Sequence, residues 1–409
     1  MLLARARGPA VAVVVLLALT FLPGCEPQKT PAASGGATSA PSASPTQPGA
    51  KTASRDPLLI GHFASMTGQE ATWGVSTDAG VRMAVDEENA KGGVNGRPLE
   101  VITYDNQGRA QESATAVTRL ITQDKVVAVL GEVASSRSIA GGQVAQRFSV
   151  PMISPSSTNP KVTEIGDMIF RVCFIDPFQG YVCAKFARGE PIKAQKAATL
   201  YNRAQIYSTG LNETFKKHFT EMGGTITTEQ AYADGDSDYS AQLTNIRETQ
   251  PDVIFIPGYY TEVVNIAVQA RRLGITVPLL GGDGWDAEDL KNAGSALDGC
   301  FFCNHYSHDE DRPAVKEFVE KYRAGHDGRI PDGMAATGYD SAKLLIDAMR
   351  RAKSLGGKDL AAAIAGTKNF PGVTGVITID AERNARKPAV ILRVQGGKTS
   401  YVTTINPPD

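Results

Sequence analysis

Four loops in this chain place polar side chains directly after short apolar runs: ASSRS (134–138), SSTNP (156–160), YYTE (259–262) and GWDAED (284–289). The first two are rich in hydroxyls and precede helical segments, where hydroxyls and backbone N–H groups suit a carboxylate. The last two bring phenols and carboxylates, which suit an ammonium. An anion held at one end and a cation at the other describe an amino acid. Plainer roles stay open for the same residues. Ser135, Ser156, Ser157 and Thr158 could cap the helices that follow, and Asp283, before a glycine, could serve a turn. Tyr207 and Tyr259 could be half-buried aromatics, and Trp73 a core residue.

Other chemistries fit less well. Cys300, Cys303, His305 and His308 spell C-x2-C-x-H-x2-H, but one residue between Cys303 and His305 is far short of the dozen or so in a metal finger. The run DGDSD (234–238) lacks the later glycine and bidentate glutamate of a calcium loop; Asn245 stands at the last place. Gly92, Gly93 and Gly96 make a turn rather than a dinucleotide fingerprint. Five histidines are scattered without a nucleophile elbow. The residues supply binding groups but no nucleophile–base pair, so an enzyme is not expected, and neither cofactor nor metal is implied.

The elements that must carry these loops alternate. LLIGHFA (58–64), LEVITYD (99–105), VVAVLGEV (126–133) and PMISP (151–155) read as short buried strands separated by helices, with Val117, Leu120 and Ile121 on one helical face and Ile139, Val144 and Phe148 on another. The pattern restarts with AATLYN (197–202), TITTEQAYA (225–233), DVIFIPG (252–258), VPLLGGD (277–283) and GCFFCNHY (299–306). Leu211, Phe215, Phe219 and Met222 mark a helix within it. Two βαβ series predict two α/β domains with doubly wound parallel sheets. Later helices around Val315–Tyr322 and Tyr339–Lys353, then strands GVITID (375–380) and AVILRVQ (389–395), suggest that the chain returns to the first domain and finishes in the second. Several crossings make a multi-strand hinge.

The N-terminus reads differently. Arg5 and Arg7 precede an apolar run from Val11 to Leu22, broken only by Thr20. That run is too short for a bilayer of roughly 30 Å but suits a signal peptide. It ends in LPGC, which resembles a bacterial lipobox with Cys25 as the lipidated residue. Thr30 to Ser54 consists of Ala, Ser, Pro, Thr and Gly apart from Gln47 and Lys51, a composition that cannot bury enough apolar surface to fold. It reads as a tether reaching on the order of 30 Å. Over 409 residues the net charge is −1, which leaves no electrostatic footprint for nucleic acid. The expected location is the extracytoplasmic face of a bacterial membrane, periplasmic or cell-surface, with membrane contact through the lipid alone.

Taken together, SMTGQEATWG (65–74), AVDEENAKGGVNGRPLEVITYD (84–105), LGEVASS (130–136), PMISPSSTNP (151–160), FRVCFIDPFQG (170–180), YSTGLNETF (207–215), GYYTE (258–262) and LGGDGWD (280–286) resemble the leucine/isoleucine/valine-binding proteins. These are type I periplasmic binding proteins that serve ABC transporters. The resemblance implies a first domain of 57–173 with 305–386 and a second of 174–304 with 387–409, after a signal peptide (1–24) and linker (25–56). It implies a monomer that captures an amino acid, branched-chain or otherwise aliphatic, and delivers it to permease subunits. A sensory module for a small amide, acid or amino acid would share the fold. By the same resemblance Ser135 and Thr158 bind the ligand carboxylate, and the Ser156 carbonyl and Asp283 receive the ammonium. Tyr207 and Tyr259 line the cleft, and Trp73 and Met334 stand near the ligand's side chain. It also brings Cys173 close to Cys300 or Cys303 on domain-crossing strands, where a hinge disulfide or reduced buried thiols are both open.

Overall fold

The computed structural model describes residues 56–408. The expectations for a signal peptide, a tether and a lipidated Cys25 fall outside the described residues. Strand β1 (Leu58–Ala64) lies inside the first sheet, and parallel pairing sets the order β2-β1-β3-β4-β5 with β2 (Leu99–Asp105), β3 (Ala128–Leu130), β4 (Met152–Ser154) and β5 (Ile169–Arg171). Its crossovers are α1 (Ala71–Asn89), α2 (Ala110–Thr122) and α3 (Ser135–Arg147). Covered on both faces, β1 can be apolar almost throughout: Leu58, Ile60, Phe63 and Ala64 are all buried.

After β5 the chain leaves for a second sheet through α4 (Asp176–Arg188). There β6 (Lys196–Asn202), α5 (Ile206–Glu221), β7 (Thr225–Tyr232), α6 (Ser240–Glu248), β8 (Val253–Ile256), α7 (Tyr260–Arg272), β9 (Leu279–Gly281) and β10 (Phe301–Asn304) follow in alternation. In α5 the buried residues Leu211, Phe215 and Phe219 form the stripe facing the sheet. The chain then returns through α8 (Pro313–Gly325), α9 (Gly333–Arg351) and α10 (Gly357–Ala365). Leu345, Ile346 and Met349 of α9 join the first core beside Val81, Leu120 and Ile153. A small antiparallel sheet, β11 (Phe370–Gly372), β12 (Gly375–Ile379) and β13 (Ala385–Arg386), precedes the last passage. Strands β14 (Ala389–Gln395) and β15 (Lys398–Ile405) complete the second sheet in the order β15-β14-β10-β9-β8-β6-β7. So the chain passes between the sheets after β5, after β10 and before β14.

The architecture is the α/β one expected, with three differences. The second sheet is mixed, because β14 runs antiparallel to β10 and β15 antiparallel to β14. Phe148 does not share the buried face of Val144; it follows α3 at the C-cap and is 42% exposed. The four cysteines among the described residues, Cys173, Cys183, Cys300 and Cys303, are unpaired and buried, so the hinge disulfide is not formed. Cys173 donates to the Ser157 carbonyl, Cys300 sits against Arg271 and the Leu279 N–H, and the Cys303 thiol faces Cys183. Among the described residues no helix is long and apolar enough to cross a membrane.

Candidate functional site

The turns that follow β3, β4, β8 and β9 all lie at the carboxyl ends of parallel strands, where open α/β sheets bind ligands. They meet around one narrow cavity. Its walls are Trp73, Val133, Ser135, Ser156, Thr158, Tyr207, Tyr259, Asp283, Gly284 and Met334. The empty space between them is about 220 Å³, part of it open towards solvent, and its centre is wide enough for about one water. A larger ligand therefore enters only when the walls part.

One side belongs to the first sheet. Its loop geometry rests on a buried ionic cluster. Glu132 Oε1 accepts from Ser65 Oγ at 2.6 Å and Asn106 Nδ2 at 3.0 Å, and Oε2 takes the Ala134 N–H at 2.6 Å. Arg137 bridges Glu70 at 2.8 Å and Glu132 at 3.5 Å, and these two carboxylates outweigh burial and raise its affinity for its proton. The turn from 131 to 134 is thus fixed, and it delivers Ser135 at the start of α3. The Ser135 hydroxyl accepts from the Asn159 N–H at 3.3 Å, which ties this turn to the next. Ser156 Oγ exchanges a hydrogen bond with Thr337 Oγ1 on α9 at 2.7 Å. The Thr158 hydroxyl is buried, lines the cavity and lies beside the Asp176 carboxyl behind it.

Ser157 differs from its neighbours. Its hydroxyl turns away from the cavity and bonds to the Glu132 and Val133 carbonyls, both at 2.9 Å, and to Ser138 Oγ at 2.7 Å. Alternation along the extended turn sends it behind the wall, so it braces the two turns and does not line the space.

The other side belongs to the second sheet and is centred on Asp283, 3% exposed. Oδ1 accepts from Gln179 Nε2 at 2.8 Å and from the Tyr207 phenol at 2.9 Å; Oδ2 lies 3.0 Å from His305 Nε2. The Gly284 N–H donates back to the Tyr207 oxygen at 3.1 Å. Glycine at position 282 leaves room for both: a Cβ there would lie 2.1 Å from Gln179 Oε1 and 2.6 Å from the Tyr207 oxygen, and these side chains would have to shift. Burial, reinforced by the Asp283 charge, pushes the Tyr207 phenol well above its ordinary range, so it stays a donor. Behind Thr158, burial raises the Asp176 carboxyl to about 8 against the opposing pull of Thr158, with Asp283 adding to the rise.

An aromatic group closes the space. Tyr259 stacks on Tyr207 at 5.4 Å, and Trp73 meets Tyr259 and Tyr260 edge-on at 4.8 and 5.1 Å. Trp73 comes from α1, yet its indole N–H donates to the Asp286 carbonyl at 2.8 Å, so it spans the two sides. Met334, at the start of α9, is 1% exposed and completes the apolar end. Sequence reasoning did not reach Val133, Gly284, Gln179 or His305. In the sequence Gln179 lies within FRVCFIDPFQG with nothing local to mark a role, and His305 shows only inside a zinc-like pattern. Among the described residues no cluster of ligating side chains suits a metal.

A sequence profile described as periplasmic binding protein matches residues 57–398. The chain is 30% identical to a leucine-specific-binding protein of Salmonella typhimurium over 308 residues, 75% of this chain and 82% of that one. Among solved structures it is similar to a leucine-binding protein of Thermotoga maritima, at 38% identity and a TM-score of 0.82, covering 86% of this chain and 99% of the other. A branched-chain amino-acid transporter substrate-binding protein of Streptococcus pneumoniae, in complex with isoleucine, gives 33% identity and 0.81, covering 86% and 100%.

Proposed function

Because the chain belongs to the periplasmic binding protein family, we propose that its cavity captures an amino acid, branched-chain or otherwise aliphatic, and delivers it to the permease of an ABC transporter. The observation that carries this reading is the division of the walls. A buried carboxylate on one side, Asp283, faces the hydroxyls of Ser135, Ser156 and Thr158 on the other, with Trp73, Tyr259, Val133 and Met334 between them.

In this reading Ser135 and Thr158 hold the ligand carboxylate, while the Ser156 carbonyl and Asp283 take the ammonium. The apolar end sorts ligands by shape. Two domains, 57–173 with 305–386 and 174–304 with 387–409, close by flexing the three passages between sheets. Export and a lipid on Cys25 would hold the protein at the outer face of a membrane.

The test is calorimetric. A thermal-shift screen of amino acids and small acids identifies the best ligand, since binding to the folded state alone raises stability. Asp283→Asn keeps the shape and removes the charge. An ammonium left without its partner in a closed cleft costs roughly 3–5 kcal/mol, so affinity falls by on the order of a hundredfold or more. Near-wild-type affinity in the variant would show that the ammonium is held elsewhere.

A further inference from the structure

We infer that His305 is a positioning residue for the ligand's ammonium, acting through Asp283 as a neutral donor that aims the carboxylate without cancelling its charge. This rests on the reading of Asp283 as the ammonium's partner.

The geometry is specific. Asp283 receives donors on both oxygens: Gln179 and Tyr207 on Oδ1, His305 Nε2 on Oδ2. Two donors on one oxygen and one on the other fix the plane of the carboxylate. They leave Oδ2 as the oxygen with unfilled acceptor capacity. His305 Nε2 must carry its proton to donate there, and the buried Nδ1 has no partner to hold a second one. An imidazolium at this place would bury an N–H with nothing to accept it. It would also neutralise Asp283 and remove the attraction the ligand needs.

The surroundings agree. His305 is 1% exposed, and burial lowers its affinity for a second proton; Asp283 opposes this and the Lys387 ammonium adds to it. The ring lies 3.9 Å from the Phe174 ring. Its backbone N–H is held by Asn304 Oδ1 at 2.8 Å. Both His305 and Phe174 lie on passages between the two sheets, one after β10 and the other after β5. The group that aims Asp283 is therefore mounted where the molecule must flex, and flexing would turn the carboxylate. Tyr207 and Gln179, by contrast, are mounted on helices of the second sheet alone.

The test compares L-leucine with its des-amino analogue 4-methylpentanoate, by calorimetry or displacement, in wild type, His305→Phe and His305→Gln. Phenylalanine keeps the ring contact and removes the donor; glutamine restores a donor near the Nε2 position. The expected result is about tenfold weaker L-leucine binding in His305→Phe, less than twofold change for 4-methylpentanoate, and recovery to within about threefold in His305→Gln. Equal weakening of both ligands in His305→Phe, or of neither, overturns the inference. Should Asp283→Asn lose L-leucine while His305→Phe keeps it, the ammonium site stands and only the role of His305 falls. If Asp283→Asn also binds normally, the proposed function falls with it. As a second readout that needs no variant, nitrogen-detected NMR of the wild-type imidazole at neutral pH should show the Nε2–H tautomer with bare Nδ1; the other tautomer or an imidazolium overturns the proposal.

Discussion

Trp73→Phe isolates what holds the two sides of the cavity together. The indole N–H donates to the Asp286 carbonyl at 2.8 Å, and both residues are buried. Phenylalanine retains an aromatic face for Tyr259 and Tyr260 but leaves that carbonyl without a donor. When the walls are apart, water can serve the carbonyl; when they are closed, it cannot. The cost therefore falls on the closed, ligand-bound form. An unsatisfied buried acceptor costs about 1–3 kcal/mol, which converts to roughly a 5- to 150-fold rise in Kd. Calorimetric titration with the best ligand of the screen measures it, and the melting temperature without ligand serves as the control. The expected outcome is weakened binding with little change in that control, expressed chiefly as faster dissociation. A Kd within twofold of wild type, in a variant that melts normally, would refute the argument that this bond secures closure.

Two further outcomes follow from the chemistry above. Burial raises the Asp176 carboxyl from 3.8 to about 8, so its contribution to stability is fully present below pH ~4 and is lost as pH rises towards 8. Asp176→Asn cannot titrate, so the stability difference between variant and wild type should move in the variant's favour by up to about 1.4 kcal/mol per pH unit between pH 5 and 7; denaturant unfolding that gives the same difference at both pH values would contradict this. Cys25→Ala should release the protein from membranes or block its maturation, read by fractionation, and equal membrane recovery of variant and wild type would count against lipidation.

The fold was readable where the residues repeat a simple rule. LLIGHFA and LEVITYD are both strands end to end: the first is apolar almost throughout, as suits a strand covered on both faces, and the second, at the edge of the sheet, is mostly half-buried. VVAVLGEV was read too long: its last residues leave the sheet at Gly131, whose φ of 135° and approach to the Phe63 carbonyl break the strand. The short β5 has only three residues, and β15, KTSYVTTI, is mostly exposed or half-buried, so neither stands out by hydrophobicity. At the cavity, hydroxyl runs and the aspartate before glycine were visible because loop composition is a local property. What positions Asp283 was not, since Gln179 and His305 come from segments far apart in sequence and meet it only through tertiary packing. Ser157 shows the converse limit. Its type matched its neighbours, but the direction of a side chain in a turn is set by the backbone path.

The antiparallel pairing of β14 with β10 bears on how the chain is made. Strand β10 contains Phe301 and Phe302, and one of its edges is covered only by β14, from the last stretch of the chain. Until that stretch emerges, an apolar strand presents a row of unpaired backbone groups, the kind of edge that recruits other chains. Synthesis order thus leaves an apolar strand waiting for β14, and a chain cut short before Ala389 would carry a sticky edge rather than merely a smaller sheet.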